Sequence, residues 1–119
     1  MSDEAILLLS NFPDADTARK AVRALVGERL IACGNIIPGV ESIYEWKGRI
    51  ETGAEVTVLC KTIASRAEEA QARLRALHPY EVPEILRIPI AGGWPGYLAW
   101  VAEQCSADDS SAHQRGKHC

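Results

Sequence analysis

The run Ala5-Ile6-Leu7-Leu8-Leu9 is apolar without a break, the pattern of a strand buried on both faces. Asn11, Pro13 and Asp14 supply the turn chemistry expected to end it. Over residues 14–30, Ala18, Val22, Leu25, Val26 and Leu30 recur at helical spacing, with Asp14 and Asp16 at the positive end and Arg29 in the last turn. Residues 30–37 predict a second strand, which Pro38-Gly39 should bend or bulge. Extended structure resumes over 40–46, putting Tyr44 and Trp46 on one face, Ile43 and Glu45 on the other. Lys47-Gly48 reads as a hairpin tip, and residues 54–63 as a third strand. Ser65 and Glu68 write a capping box for a second helix, which reaches Leu77 with Ala67, Ala70, Leu74 and Leu77 inward. A fourth strand covers 84–90. Pro95 then opens a third helix, with Leu98, Val101, Ala102 and Cys105 on one face.

The order β-α-β-β-α-β plus a terminal helix predicts an α+β, ferredoxin-like sandwich, two helices on one face of a four-stranded antiparallel sheet. One feature exceeds what a lone domain needs. The second strand and its continuation span roughly 17 residues, against roughly 5–6 for a typical strand. An apolar hairpin of that length, carrying Tyr44, Trp46 and Ile50 near its end, leaves open edges and aromatic surface. Strand length alone thus predicts a homo-oligomer, with those three residues at the subunit interface.

The 119 residues suit one domain over 1–105, followed by a polar tail (106–119) whose composition is that of a disordered segment. A net charge of −3 with scattered basic residues disfavours nucleic acid as a partner. Ser2, Asp3 and Glu4 are the wrong sign for a signal peptide. No apolar run nears the roughly 20 residues that span a bilayer, so a soluble cytoplasmic protein without a membrane partner is expected. Cys33, Cys60, Cys105 and Cys119 form no C-x-x-C pair and are expected to be reduced thiols, mostly buried. His113, His118 and Cys119 in the tail could capture metal adventitiously.

The densest chemistry lies in His78-Pro79-Tyr80-Glu81-Val82-Pro83-Glu84-Ile85. Its prolines fix φ and push His78 and Val82 into extended conformations, so no helix continues through it. Two readings stand side by side: a helix stop followed by a strand entry, or a rigid loop offering His78, Glu81 and Glu84 to a divalent transition metal. One imidazole cannot close a tight site within one chain, which favours a weak or shared one. Tyr80 and Lys61 are candidate ligand-cleft residues, and Lys61 could meet an anion. Phosphate-loop, dinucleotide and nucleophilic-triad signatures are lacking, so no catalytic residue is assigned and an enzyme is not expected.

The segments Ala32-Cys33-Gly34-Asn35-Ile36-Ile37-Pro38-Gly39, Ser42-Ile43-Tyr44-Glu45-Trp46-Lys47-Gly48, Lys61-Thr62, the His78–Ile85 loop and Tyr97-Leu98-Ala99-Trp100 together resemble the CutA divalent-cation-tolerance family. The resemblance covers about residues 5–104. It implies a homotrimer in which long hairpins complete neighbouring sheets, and a link to tolerance of copper and other divalent cations, so Cu2+ or another divalent cation, held weakly or between subunits, is the cofactor to expect. Metal binding described for some members uses a cysteine ending the first strand and two adjacent histidines before Pro-Tyr. Ser10 and Leu77 occupy two of those positions here, and His78 alone carries over. The alternatives are a P-II-like nucleotide-sensing trimer, an intersubunit scaffold without direct metal binding, and an acylphosphatase-like enzyme. The last lacks an arginine in Ser10-Asn11-Phe12-Pro13.

Overall fold

The computed structural model describes residues 3–106 and 119. Seven elements follow in the order β1 (Ala5–Phe12), α1 (Ala15–Gly27), β2 (Cys33–Trp46), β3 (Arg49–Ile63), α2 (Ala64–Leu77), β4 (Ile85–Pro89) and α3 (Pro95–Gln104). The strands form one antiparallel sheet ordered β2-β3-β1-β4. With α1 and α2 packed on one face, this is the α+β, ferredoxin-like sandwich that the pattern predicts. The expectations for the polar tail fall outside the described residues, apart from Ser106 and Cys119.

Period-two alternation decides which side chains face the helices. Leu8, Phe12, Val56, Val58 and Cys60 point to α1 and α2 and close a core with Ala18, Ala21, Val22, Leu25, Ala70 and Leu74. Each large aliphatic or aromatic side chain buried there contributes roughly 1.5–3 kcal/mol. The helix α1 comes close enough to β2 that a Cβ on Gly34 would sit 2.6 Å from Val22 Cγ1. Among the described residues, no helix covers most of the opposite sheet face, where Leu7, Leu9, Leu59, Leu86 and Ile88 lie in register. Of these, Leu86 is 49% exposed.

The boundaries differ from expectation where polar groups found unforeseen partners. Ser10 and Asn11 do not end β1, because Ser10 pairs with Val58 and Asn11 with Thr57. The helix α1 stops at Gly27, short of Arg29. Arg29 takes φ 62, and the Leu30 and Arg29 amides bond back to the Leu25 and Val26 carbonyls, a Schellman closure built on a non-glycine residue. Its guanidinium donates to the Ser106 and Glu103 carbonyls, which ties the end of α1 to the end of α3. Val26 is consequently 42% exposed rather than inward. The expected capping box at α2 does not form. Both the amide and the hydroxyl of Ser65 bond to the Asp3 carboxylate, so the cap comes from the segment before β1.

The hairpin matches its sequence closely. Lys47 and Gly48 both take positive φ, as a two-residue turn of this hand requires. Pro38 and Gly39 together oppose Val56, and this bulge moves Cys60 from Asn35 to Gly34 in the β2–β3 register. Beyond Phe12↔Val56, β3 has no further partner on the β1 side among the described residues. Residues 40–54 therefore overhang the sheet as a two-stranded ribbon, with Ile43, Tyr44, Trp46 and Ile50 exposed. Among the described residues, no helix is long and apolar enough to cross a membrane.

Candidate functional site

The His78 loop leaves α2 because its first residue has extended backbone (φ −78, ψ 136) before Pro79. The imidazole is 7% exposed and stacks on Phe12, with ring centroids 4.2 Å apart. The Tyr80 amide donates to His78 Nδ1 at 3.1 Å, which makes Nδ1 the acceptor nitrogen. His78 Nε2 must then carry the proton that it donates to the Asn11 carbonyl at 2.7 Å. Burial holds the imidazole below its ordinary pKa, against the opposing pull of the Asn11 bond. Both nitrogens are spent. His78 fits a structural post for the loop, and its geometry does not fit the metal ligand that the motif suggests.

The carboxylates of the motif also part company. Glu84 faces an open cleft of about 880 Å³ that is also lined by Asn11, Ser42, Tyr44, Trp46, Glu55, Tyr80 and Val82. Glu81 lines a separate groove with Glu68, Gln71 and Arg75, and its carbonyl accepts from Arg75 Nη2. The expected trio of His78, Glu81 and Glu84 is therefore not assembled, since a ring buried in the core lies between two carboxylates facing different hollows. Among the described residues, no three His, Cys, Asp or Glu side chains group as a metal cage.

What the loop does build is a polar seam along the cleft. Glu84 Oε1 accepts from Asn11 Nδ2 at 2.9 Å, and Asn11 Oδ1 accepts from the Thr57 hydroxyl at 2.6 Å. The buried Ser10 hydroxyl donates to the Glu84 carbonyl at 2.7 Å. Across the cleft, Glu55 receives the Ser42 hydroxyl on Oε1 (2.6 Å) and the Tyr80 hydroxyl on Oε2 (3.0 Å). Burial, followed by the neighbouring Glu55 carboxylate, pushes the Tyr80 phenol up to about 12. Tyr44 and Trp46, expected at a subunit interface, form part of the wall, while Ile50 lies outside it.

Lys61 is not in this cleft. Its place on β3, opposite Leu7 and Cys33, puts it toward the other end of the uncovered face, where its ammonium bonds to Asn35 Oδ1. Burial lowers its pKa. Sequence reasoning missed Asn11, Ser42 and Glu55. The hairpin register could have found Glu55, since counting back from Lys47-Gly48 sets it at the ribbon's root. Asn11 was hidden by its resemblance to a turn residue. The cysteines also depart from expectation, because Cys33 and Cys119 are joined as a disulfide while Cys60 and Cys105 are free and buried.

This combination of bulged overhanging hairpin, His-Pro-Tyr-Glu loop and terminal aromatic helix is matched over residues 6–104 by the profile of the CutA1 divalent ion tolerance protein. The chain belongs to the CutA1 divalent ion tolerance family. It is 44% identical over 97 residues to the divalent-cation tolerance protein CutA of Thermus thermophilus, covering 82% of this chain and 94% of that one. Protein CutA of Mus musculus is 45% identical over 89 residues, 75% of this chain but half of the mouse protein. The crystal structure of CutA from Xylella fastidiosa superposes with a TM-score of 0.84 at 41% identity, covering 87% of this chain and 99% of that one. A periplasmic divalent cation tolerance protein CutA from Archaeoglobus fulgidus gives 0.81 at 29% identity, over 86% and 99%. The CutA1 fold is thus shared across a wide range of sequence.

Proposed function

We propose that this chain is a homotrimeric, non-enzymatic binding or regulatory module of divalent-cation response, with its ligand-facing surface in the cleft at the hairpin root. The overhanging hairpin carries the reading. Ile43, Tyr44, Trp46 and Ile50 are 66%, 49%, 61% and 76% exposed on a ribbon with free edges, and β4 presents a free outer edge of its own. A ring of copies, each ribbon extending a neighbour's sheet, buries that apolar surface and removes the edges. Three partners closing a ring is the arrangement that the family resemblance implies.

Copper or another divalent ion is the ligand class that the family's description suggests. In this cleft the donors are carboxylate oxygens of Glu84 and Glu55, which suit harder divalent ions better than a soft one. A P-II-like nucleotide site is less favoured, because among the described residues no lysine or arginine lines the cleft to meet phosphate. A cytoplasmic setting belongs to the proposal on the strength of the free thiols Cys60 and Cys105, and the Cys33–Cys119 disulfide counts against it.

Sedimentation of the purified chain, followed by titration with Cu(II) and Mn(II), tests this. A trimer whose divalent-ion affinity falls in Glu84→Gln is expected. A monomer at micromolar concentration, or affinity unchanged in Glu84→Gln, overturns the respective half of the reading.

A further inference from the structure

We propose that the cleft at the hairpin root binds a small organic cation, a primary ammonium carried on an apolar body. The proposal concerns the same cleft as the reading above but does not rest on a metal, because it uses the aromatic wall as well as the carboxylates.

Strand alternation sets Ser42, Tyr44 and Trp46 on one face of the ribbon, and Ile50, opposite Glu45, on the other. The first face overhangs the cleft, while Ile50 and the strand edges are left for the association proposed above. A Cβ on Gly53 would lie 3.6 Å from the Tyr44 hydroxyl, and Gly53 pairs with Ser42, nearer the root. Tyr44 therefore leans back over the cleft rather than out toward the hairpin tip. Tyr80 and Val82 line the cleft from the proline-stiffened loop, so three rings and an aliphatic side chain bound the hollow. Its volume of about 880 Å³ falls within the roughly 300–1,000 Å³ of small-molecule sites.

The charge of this hollow has one sign. Glu55 is held by the Ser42 and Tyr80 hydroxyls and Glu84 by the Asn11 amide, all neutral donors. Among the described residues, neither carboxylate has an ion pair and no Lys, Arg or His side chain lines the cleft. A carboxylate offers about four lone-pair positions, so acceptor capacity remains on both. A primary ammonium supplies the missing charge and donates to those positions. The faces of tyrosine and tryptophan rings also attract cations. One wall residue already takes a cation in this way, since Lys47 Nζ lies 5.6 Å from the Trp46 ring centroid without itself lining the cleft. An anion is repelled here, and a neutral ligand would leave both charges uncompensated in a hollow it has partly dried. An amine on an apolar body meets both halves of the lining.

Calorimetric titration of the full chain, freed of metal by chelation, uses cyclohexylmethylamine as the probe and cyclohexylmethanol as its uncharged counterpart. The amine should bind roughly 10-fold more tightly than the alcohol, and more weakly as salt is raised. Glu84→Gln, altered at an exposed position, keeps the size of the side chain and should weaken the amine roughly 10-fold. Tyr44→Leu should weaken it roughly 3-fold, whereas Tyr44→Phe, which keeps the ring, should retain the wild-type affinity. Equal binding of amine and alcohol, no binding by the wild type, or unchanged amine affinity in either Glu84→Gln or Tyr44→Leu overturns the proposal. Mn(II) is titrated separately. Absent amine binding with Mn(II) still bound overturns this proposal alone, and the reverse overturns the metal reading alone.

Discussion

The Tyr80 hydroxyl donates to Glu55 Oε2 at 3.0 Å, joining a proline-stiffened loop to the root of the overhanging hairpin. Glu55 already accepts from Ser42, so the bond completes a carboxylate held on both oxygens. Tyr80→Phe removes one charge-assisted bond from a half-buried acid and should cost about 1.5 kcal/mol in urea unfolding. The phenol is raised from its ordinary value of 10.0 to about 12. A raised folded pKa stabilises the neutral form, so this stability is complete below the unfolded value and is lost as pH rises through the folded one. Wild type should therefore lose stability over that alkaline window, and Tyr80→Phe should not share that component of the loss. Parallel alkaline curves for the two proteins would exclude it.

His78 predicts the opposite pH dependence. Its folded pKa is depressed by burial, so the native state disfavours the protonated ring. Above the ordinary histidine value of about 6.5 both states are neutral and nothing is lost. As pH falls below it, the unfolded chain takes up the proton first, and stability drops until the folded ring also titrates. His78→Gln should start less stable at neutral pH, having lost the Phe12 stack, and decline less on acidification. Urea midpoints measured across that range check this, and an equal acid slope in both proteins would remove His78 as the titrating group.

Sequence periodicity carried the architecture because burial imposes it. Val58 and Cys60 sit where strand alternation puts them, and Gly39 and Gly48 take the positive φ their turns need. The site was less legible, because its parts are joined by contacts remote in sequence. Ser10 reaches the Glu84 carbonyl and His78 reaches the Asn11 carbonyl, bonds no local pattern announces. A histidine beside two carboxylates reads as a ligand set until the backbone shows which hollow each one faces. The capping box expected between Ser65 and Glu68 failed for the same reason, since the distant Asp3 carboxylate took the place of the nearer partner written in the sequence.

Gly34 offers a direct test of how tightly α1 lies on the sheet. An alanine Cβ there would meet Val22 Cγ1 at 2.6 Å, too close for any real contact. Gly34→Ala should destabilise the fold by roughly 1–3 kcal/mol through overpacking. Val22→Ala alone removes two methyl groups and should also cost stability. Together the two changes should cost less than their sum, because the new methyl occupies the space the valine vacates. Thermal or urea unfolding of the four proteins yields the coupling. Simple additivity would mean that the strain is relieved elsewhere.

Leu86 tests whether the uncovered sheet face is a surface for association. It pairs with Leu9, which in turn pairs with Leu59, so three leucines cross the face in one row. At 49% exposure Leu86 contributes little to the core of a single chain, and a lysine there should leave the isolated fold nearly intact, within about 0.5 kcal/mol. In an assembly that buries this row, the same lysine places an unpaired charge in an apolar contact and should be strongly disruptive. Leu86→Lys is therefore expected to sediment as a smaller species than wild type at equal concentration while retaining the same circular dichroism. Unchanged sedimentation would assign association to the hairpin without this face, and Trp46→Ala on the ribbon would then be the variant that lowers the mass.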